Sequence, residues 1–265
     1  MSDPTLRTLV VIPTYNEREN IAQAIDAVLT ALPDTDVLVV DDASPDGTGE
    51  IAEEISLHDS RVHAIHRRQK DGLGGAYLAG FAWALERGYA AVVEMDADCS
   101  HHPEDLPRLL GHLRDHDLAL GSRWVPGGRV ENWPRRRLLL SRGGNWYTRI
   151  ALGIDVRDAT GGFRAFRSEA LQRIHLDDVA SHGYCFQVDL VWRALQPGLT
   201  VIEVPIVFTE RVRGVSKMDR AIVLESLRSV AAWGLRRRFR AIVELTVHHR
   251  RLGSVRANSS RSDPA

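Results

Sequence analysis

Four short apolar runs, each followed by a stretch with helical periodicity, fill the first hundred residues and restrict the fold more tightly than anything else in the chain. The runs are Thr8-Leu9-Val10-Val11-Ile12, closed by Pro13; Val37-Leu38-Val39-Val40; Val62-His63-Ala64-Ile65; and Ala90 to Met95. Short, continuous and rich in β-branched residues, they read as strands buried on both faces, the habit of parallel sheets. Between them, Ile21, Ala24, Ile25, Val28 and Leu29 repeat at helical spacing, with Asn16 expected to cap that helix. A second helix runs through Ile51 and Ile55, and a third over 76–87. Strictly alternating strand and helix imply parallel βαβ units with right-handed crossovers, hence an α/β fold with a Rossmann-like, mostly parallel sheet flanked by helices.

The chemistry collects where these strands end. The fourth run leaves the sheet as Met95-Asp96-Ala97-Asp98-Cys99-Ser100-His101-His102-Pro103, which puts two aspartates one residue apart at a strand's carboxyl end. Ligands of open α/β sheets bind there, and Mg²⁺ or Mn²⁺ favours carboxylate oxygens while substrate phosphates complete its shell. The same residues also suit an acidic turn in which Ser100 caps a helix opening with Pro103-Glu104-Asp105. The second run ends in Asp41-Asp42 and the turn Ser44-Pro45-Asp46-Gly47. The Gly-rich turn Asp71-Gly72-Leu73-Gly74-Gly75 does not make a dinucleotide fingerprint, because Tyr77 stands at the sixth position and the turn follows the third strand. A glycine turn opening a helix still suits a nearby phosphate.

Beyond residue 117 the pattern is less regular. Leu118 to Arg123 reads as a strand entering a loop over 125–133, and 158–167 as a turn into a short strand. Arg135-Arg136-Arg137 abuts an apolar and aromatic stretch through Tyr147, which suits either a solvated basic face or a site for an anionic amphiphile. Val201 to Phe208 reads as one strand with Pro205 at an edge or bulge. Arg211 to Lys217 is a basic, hydroxyl-bearing loop suited to a pyrophosphate. Val223, Leu224, Leu227, Val230, Ala231 and Leu235 then mark an amphipathic helix ending in Arg236-Arg237-Arg238-Phe239-Arg240. Its apolar face fits core packing or docking on a membrane.

Composition closes some routes. A formal net charge of -1 argues against nucleic acid as a partner, although 211–251 is strongly basic. The two cysteines, Cys99 and Cys185, lack metal-ligand spacing and suit a reducing cytoplasm. No signal-peptide pattern opens the sequence, and no apolar run approaches the roughly 20 residues that span a bilayer.

Taken together, the motifs resemble the inverting GT-A glycosyltransferases of family 2, and among them the polyprenyl (dolichyl) phosphate mannosyltransferases. The resemblance covers about Leu9 to Lys217. It rests on Val11 to Glu17, Val40 to Thr48, Gly72-Leu73-Gly74, Met95 to Pro103, Gly121-Ser122-Arg123, Thr160-Gly161-Gly162-Phe163-Arg164 and Arg211 to Lys217. Ser100-His101-His102-Pro103, Ser141-Arg142-Gly143-Gly144-Asn145 and Gly183-Tyr184-Cys185-Phe186-Gln187 narrow it to the subgroup. It implies a nucleoside pocket of Pro13, Tyr15, Glu17, Val39 and Asp41, with Pro13 and Val39 offering only backbone and Asp41 reading the base. It also implies a donor site touching Gly72, Ala97 and Asp96, and a divalent metal, Mg²⁺ or Mn²⁺, on Asp98 with Asp96 and Ser100 as further candidates. Ser100 stands where many relatives carry Gln, so its ligand role is open. Arg211 and Lys217 would stabilise the leaving diphosphate, Arg123 would hold the acceptor phosphate, and Arg137, Ser141 and Arg142 would form the acceptor entrance. Asp189 occupies a position where other members carry a catalytic carboxylate and here suits a structural role equally.

The expected reaction is transfer of mannose from GDP-mannose to a polyprenyl monophosphate at the cytoplasmic membrane face, by a peripheral enzyme with an integral membrane protein as a candidate anchor. UDP-glucose as donor, or a non-catalytic polyprenyl-phosphate-binding subunit, are the alternatives. The expected organisation is a catalytic domain over 1–217, a basic helical contact region over 218–251 and a disordered tail over 252–265.

Overall fold

A computed structural model of the chain describes residues 6–179, 183–210 and 227–236. The four anticipated strands are β1 (Thr8–Thr14), β2 (Asp36–Asp41), β3 (Val62–His66) and β4 (Ala91–Glu94), and each is followed by a helix or helical turn. Helices α1 (Ile21–Ala31), α2 (Thr48–His58), α3 (Gly72–Glu86) and α4 (Leu106–His112) alternate with them. After these come β5 (Leu118–Ser122), β6 (Arg129–Glu131), α5 (Arg135–Leu152), β7 (Arg164–Arg167), α6 (Ser168–Arg173), α7 (Gly183–Leu195), β8 (Val201–Pro205) and β9 (Val207–Thr209). The main sheet has the order β3-β2-β1-β4-β7-β5-β8, parallel throughout except for β7, which runs antiparallel to β4 and β5. The chain steps one way from β1 to β3 and then returns to the other side of β1 with β4. That reversal opens a crevice at the carboxyl ends of β1, β2 and β4.

Alternation along β1 divides the core in two. Leu9 and Val11 face α3 and α7 through Tyr77, Phe81, Leu190 and Val191, while Val10 and Ile12 face α1 and α4 through Ile25, Val28, Leu106 and Leu109. All of these side chains are buried, each worth about 1.5–3 kcal/mol of transfer free energy. At Gly80 a Cβ would meet Val11 Cγ1 at 2.5 Å, so the missing side chain is what lets α3 lie so close to β1.

Local expectations required four corrections. Asn16 is not a cap: its φ is +56°, a conformation Asn tolerates, and its N–H donates to Ser44 Oγ, while α1 begins at Ile21 after a turn closed on the Glu17 carbonyl. The third helix starts at Gly72, four residues before Ala76. The run 201–208 is two strands in two sheets, because Pro205 brings no N–H to the ladder and β9 leaves the sheet edge to pair with β6. Ser100 caps no helix, since Pro103–Asp105 forms a 3-10 turn preceded by His102, with α4 beyond it.

Candidate active site

Asp96 and Asp98 stand where β4 opens into the crevice. Asp98 is buried, and its Oδ1 accepts the Ser100 N–H at 3.1 Å across a turn in which Cys99 has φ +57°. Asp96 is half-buried, with the Tyr77 hydroxyl donating to its Oδ1 at 3.4 Å. Burial, then the neighbouring Asp96 and Glu94 charges, push the Tyr77 phenol well up, so it remains a donor. His101, also buried, stacks on Phe163 at 4.9 Å and meets the edge of Phe208, while the Asp96 N–H points at its Nδ1. Burial takes the imidazole down to about 4 against the pull of Asp98. Strand β9 fastens this corner from outside: the Thr209 N–H donates to the Ser100 carbonyl and its hydroxyl meets His102 Nε2 at 3.0 Å.

For a divalent cation the donors are hard oxygens. Among the described residues no three His, Cys, Asp or Glu side chains form a closed cage. The Ser100 hydroxyl is buried beside Asp98 without a hydrogen-bond partner. One or two carboxylates with a spare hydroxyl fit Mg²⁺ or Mn²⁺, whose remaining positions are filled by phosphate and water.

The loops after β1 and β2 form the other wall. Thr14 and Ser44 hydroxyls donate to Asp41 Oδ1, and the Ser44 N–H to Oδ2. Asp46 accepts from the Thr48 N–H and hydroxyl and from the Arg18 N–H, and the Glu17 N–H donates to Thr48 Oγ1 at 2.9 Å, so the two loops are tied. Lys70 Nζ lies 3.8 Å from the Tyr15 ring centroid. Val39 sits inside β2 with its side chain in the core, and Pro13 at the end of β1 pairs with Val40. Ala97 is likewise a core residue. Gly72 has φ +85°, and its N–H and that of Asp71 donate to Asp42, which also pairs with Arg67. The amides expected to greet a phosphate are therefore turned toward a carboxylate of the chain itself.

The three acceptor-side arginines do come together, through aromatic rings. Arg142 lies 5.0 Å from the Trp124 ring; Arg123 lies between Trp124, Trp133 and Phe208 at 5.4–5.6 Å; Arg137 lies 4.1 Å from Trp133. Arg137 also pairs with Glu210. The fork of Arg123 differs from expectation: its Nε and Nη2 donate to the buried Asp158 at 2.7 Å each, and Nη2 also reaches Thr160. Burial raises the Asp158 carboxyl, but the Arg123 charge and hydrogen bonds, helped by Arg164, hold it below the usual carboxylate range. The half-buried Ser141 presents its carbonyl to Asn145 Nδ2. Asn145 in turn bonds Thr160 and the Ala159 N–H, tying α5 to the loop after it.

Behind Asp96 lies a polar wall that sequence motifs identified without assigning a role. Arg164 is fully buried and gives its three nitrogens to the carbonyls of Gly161, Gln187 and Ala159, each at 2.8 Å. Glu94 lies 3.7 Å from its Nε without a hydrogen bond of ordinary geometry. Burial lifts that carboxyl to about 7, against the Arg164 charge and the Gln187 amide. Asp189, where other members carry a catalytic carboxylate, is buried and pairs with Arg193 one turn along α7. Asp158, Arg164 and Asn145 were legible only as members of motifs, since their partners lie far off in sequence.

Arg211 and Lys217 lie outside the described residues, as do most of the basic helix and the tail. The described part of that helix, 227–236, docks internally: the Leu227 carbonyl accepts from the Tyr147 hydroxyl, and Trp233 stacks on Trp192 at 5.7 Å. No helix among the described residues is long and apolar enough to cross a membrane. Residues 9–175 match the model of Glycosyl transferase family 2. The chain is 57% identical over 237 residues, 89% of each sequence, to polyprenol monophosphomannose synthase of Mycolicibacterium smegmatis. It is 52% identical to undecaprenyl-phosphate mannosyltransferase of Micrococcus luteus, over 89% of this chain and 98% of that one. A mannosyltransferase of Pyrobaculum calidifontis solved with GDP-Man and Mn²⁺ shares the fold at a TM-score of 0.55 and 18% identity, over 99% of this chain and 83% of that one. By the matched span, the identity and the strand-end aspartates together, the chain belongs to glycosyl transferase family 2.

Proposed function

We propose that the protein transfers mannose from GDP-mannose to a polyprenyl monophosphate, with inversion, to give a β-linked lipid phosphomannose. The observation that carries this reading is the pairing of an acidic corner, Asp96 and Asp98, with the arginine and tryptophan array of Arg123, Arg137 and Arg142, both bordering His101 or its neighbours. The mannosyltransferase relatives support the sugar and the lipid acceptor.

In this reading the nucleoside lies against Tyr15, Glu17 and Asp41, and the diphosphate runs toward Asp98. Asp98, with Asp96 and Ser100 as further contacts, would hold a divalent cation, whose charge would offset that on the diphosphate. The acceptor phosphate oxygen forms a bond to C1 as the bond from C1 to the diphosphate oxygen breaks, and the nucleoside diphosphate leaves with the electron pair. The acceptor is already anionic near neutral pH and needs no strong general base. With its fork on Asp158, Arg123 braces the array from inside, while Arg137, Ser141 and Arg142 meet the phosphate at the entrance. Arg211 and Lys217, outside the described residues, keep the leaving-diphosphate role that the resemblance implies. The enzyme works from the cytoplasmic face as a peripheral protein, with α5 against the lipid surface. Arg142, Leu139, Trp146 and Ile150 repeat along that helix, and the three apolar ones are half or more exposed.

The test offers radiolabelled GDP-mannose, UDP-glucose and GDP-glucose separately with a polyprenyl phosphate and Mg²⁺ or Mn²⁺. Label should enter lipid from GDP-mannose alone, disappear with EDTA, and disappear in a folded Asp98→Ala variant. Transfer from UDP-glucose instead would overturn the donor, and near-normal turnover by Asp98→Ala would overturn its role.

A further inference from the structure

Gln187 is 3% exposed, and neither atom of its amide makes a hydrogen bond within 3.5 Å. Among the described residues the Glu94 carboxyl alone draws on the amide, which favours its ionised form. Buried amides in folded proteins are hydrogen-bonded almost without exception, so one with no more than the Glu94 carboxyl for company points to a missing partner. The position is fixed rather than accidental, because Arg164 holds the Gln187 carbonyl with one nitrogen and the Gly161 and Ala159 carbonyls with the others. Through those bonds the glycine pair Gly161-Gly162 and the start of α7 form one rigid piece.

The space in question lies over Gly162. A Cβ placed on that residue would stand 3.6 Å from Asp96 Oδ2 and 3.7 Å from Gln187 Nε2, so the carboxylate and the amide both border the place a side chain would take there. The Tyr77 hydroxyl supports Asp96 on its other oxygen. A sugar hydroxyl both donates and accepts, which is what a carboxylate and an amide N–H near the same point require. We propose that Gln187 is a specificity-determining residue which, with Asp96, holds one hydroxyl of the donor hexose over Gly162. This deepens the mannosyltransferase reading and rests on a nucleotide sugar binding at the end of β4.

The experiment compares the full-length wild type with Gln187→Leu, Gln187→Glu and Gly162→Ala, using GDP-mannose, its deoxymannose analogues and GDP alone. The wild type should lose at least about tenfold in kcat/KM on one deoxy sugar. Gln187→Leu should lose a similar factor on GDP-mannose and nothing further on that deoxy sugar, with GDP affinity and thermal midpoint unchanged. Gly162→Ala, whose methyl would meet its neighbours at ordinary contact distance, fills the gap and should lower donor use while GDP binding persists. Wild-type kcat/KM in both Gln187→Leu and Gly162→Ala would overturn the assignment. So would variants that fall equally on every sugar and on GDP binding, the signature of a structural role. Wild-type transfer from UDP-glucose alone would overturn the GDP-mannose reading instead, and the same variants on UDP-deoxyglucoses then decide for or against Gln187.

Discussion

The Arg123–Asp158 pair shows how a residue's environment can redirect its chemistry. An arginine after a strand, in Gly121-Ser122-Arg123, invites a phosphate, yet its fork closes on a carboxylate with no exposed surface. Removing one partner of a buried pair strands the other and costs about 3–5 kcal/mol. Asp158→Asn keeps the shape while removing the charge, so it exposes the linkage to pH. The folded pKa of Asp158 is depressed below its ordinary 3.8, so its contribution is present above that value and is lost as pH falls through the folded pKa. The charges that hold it down are Arg123 and Arg164, neither of which titrates in this range, while His101, itself near 4, also feels Asp158. Urea unfolding between pH 7 and pH 3 should show the wild type losing more stability on acidification than Asp158→Asn. Parallel pH profiles for the two would remove the pair from the acid response.

At the scale of elements, α5 joins the site to the surface. Its inner face is tied down by Asn145 and Tyr147, and its outer face presents Leu139, Leu140, Trp146 and Ile150 among arginines. Apolar side chains flanked by cations suit the headgroup boundary of an anionic bilayer. Replacing Leu139, Trp146 and Ile150 together by Ser should lower binding to phosphatidylglycerol vesicles about tenfold or more and leave GDP binding intact, since about 1.4 kcal/mol is a factor of ten and burial of one such side chain exceeds that. Unchanged flotation with the vesicles would mean that another surface makes the contact. The 227–236 segment docks on the same helix at Ala151 and Tyr147, where Gly234 leaves no room for a side chain. The amphipathic pattern there thus serves internal packing, at least over the described residues.

For the whole molecule, the two loop systems at the sheet's carboxyl edge come from distant parts of the chain and, in the proposed function, serve one ligand. A nucleotide that bridges them stabilises the folded state alone, by about 2.7 kcal/mol at a concentration of 100 Kd. GDP with Mn²⁺ should therefore raise the thermal midpoint by several degrees, and GDP with EDTA by clearly less. Equal shifts with and without the metal would mean that the nucleotide binds without drawing on Asp98.

The sequence alone carried the alternation of strand and helix and the residues at the strand ends. A two-sided parallel sheet demands continuous apolar runs, and acidic residues just beyond them have only the crevice to face. It also carried the family, through ordered motifs that later matched over 9–175. It did not carry the antiparallel β7, the break at Pro205, or the arginine and tryptophan array, because those depend on which distant segments meet. Nor did it reveal that the Asp71 and Gly72 amides turn toward Asp42, or that Arg164 joins Gly161 to Gln187. Local pattern reads what a residue does to its own backbone. Where a buried charge finds its partner is decided only when the tertiary fold removes water from both and leaves each no other way to be satisfied.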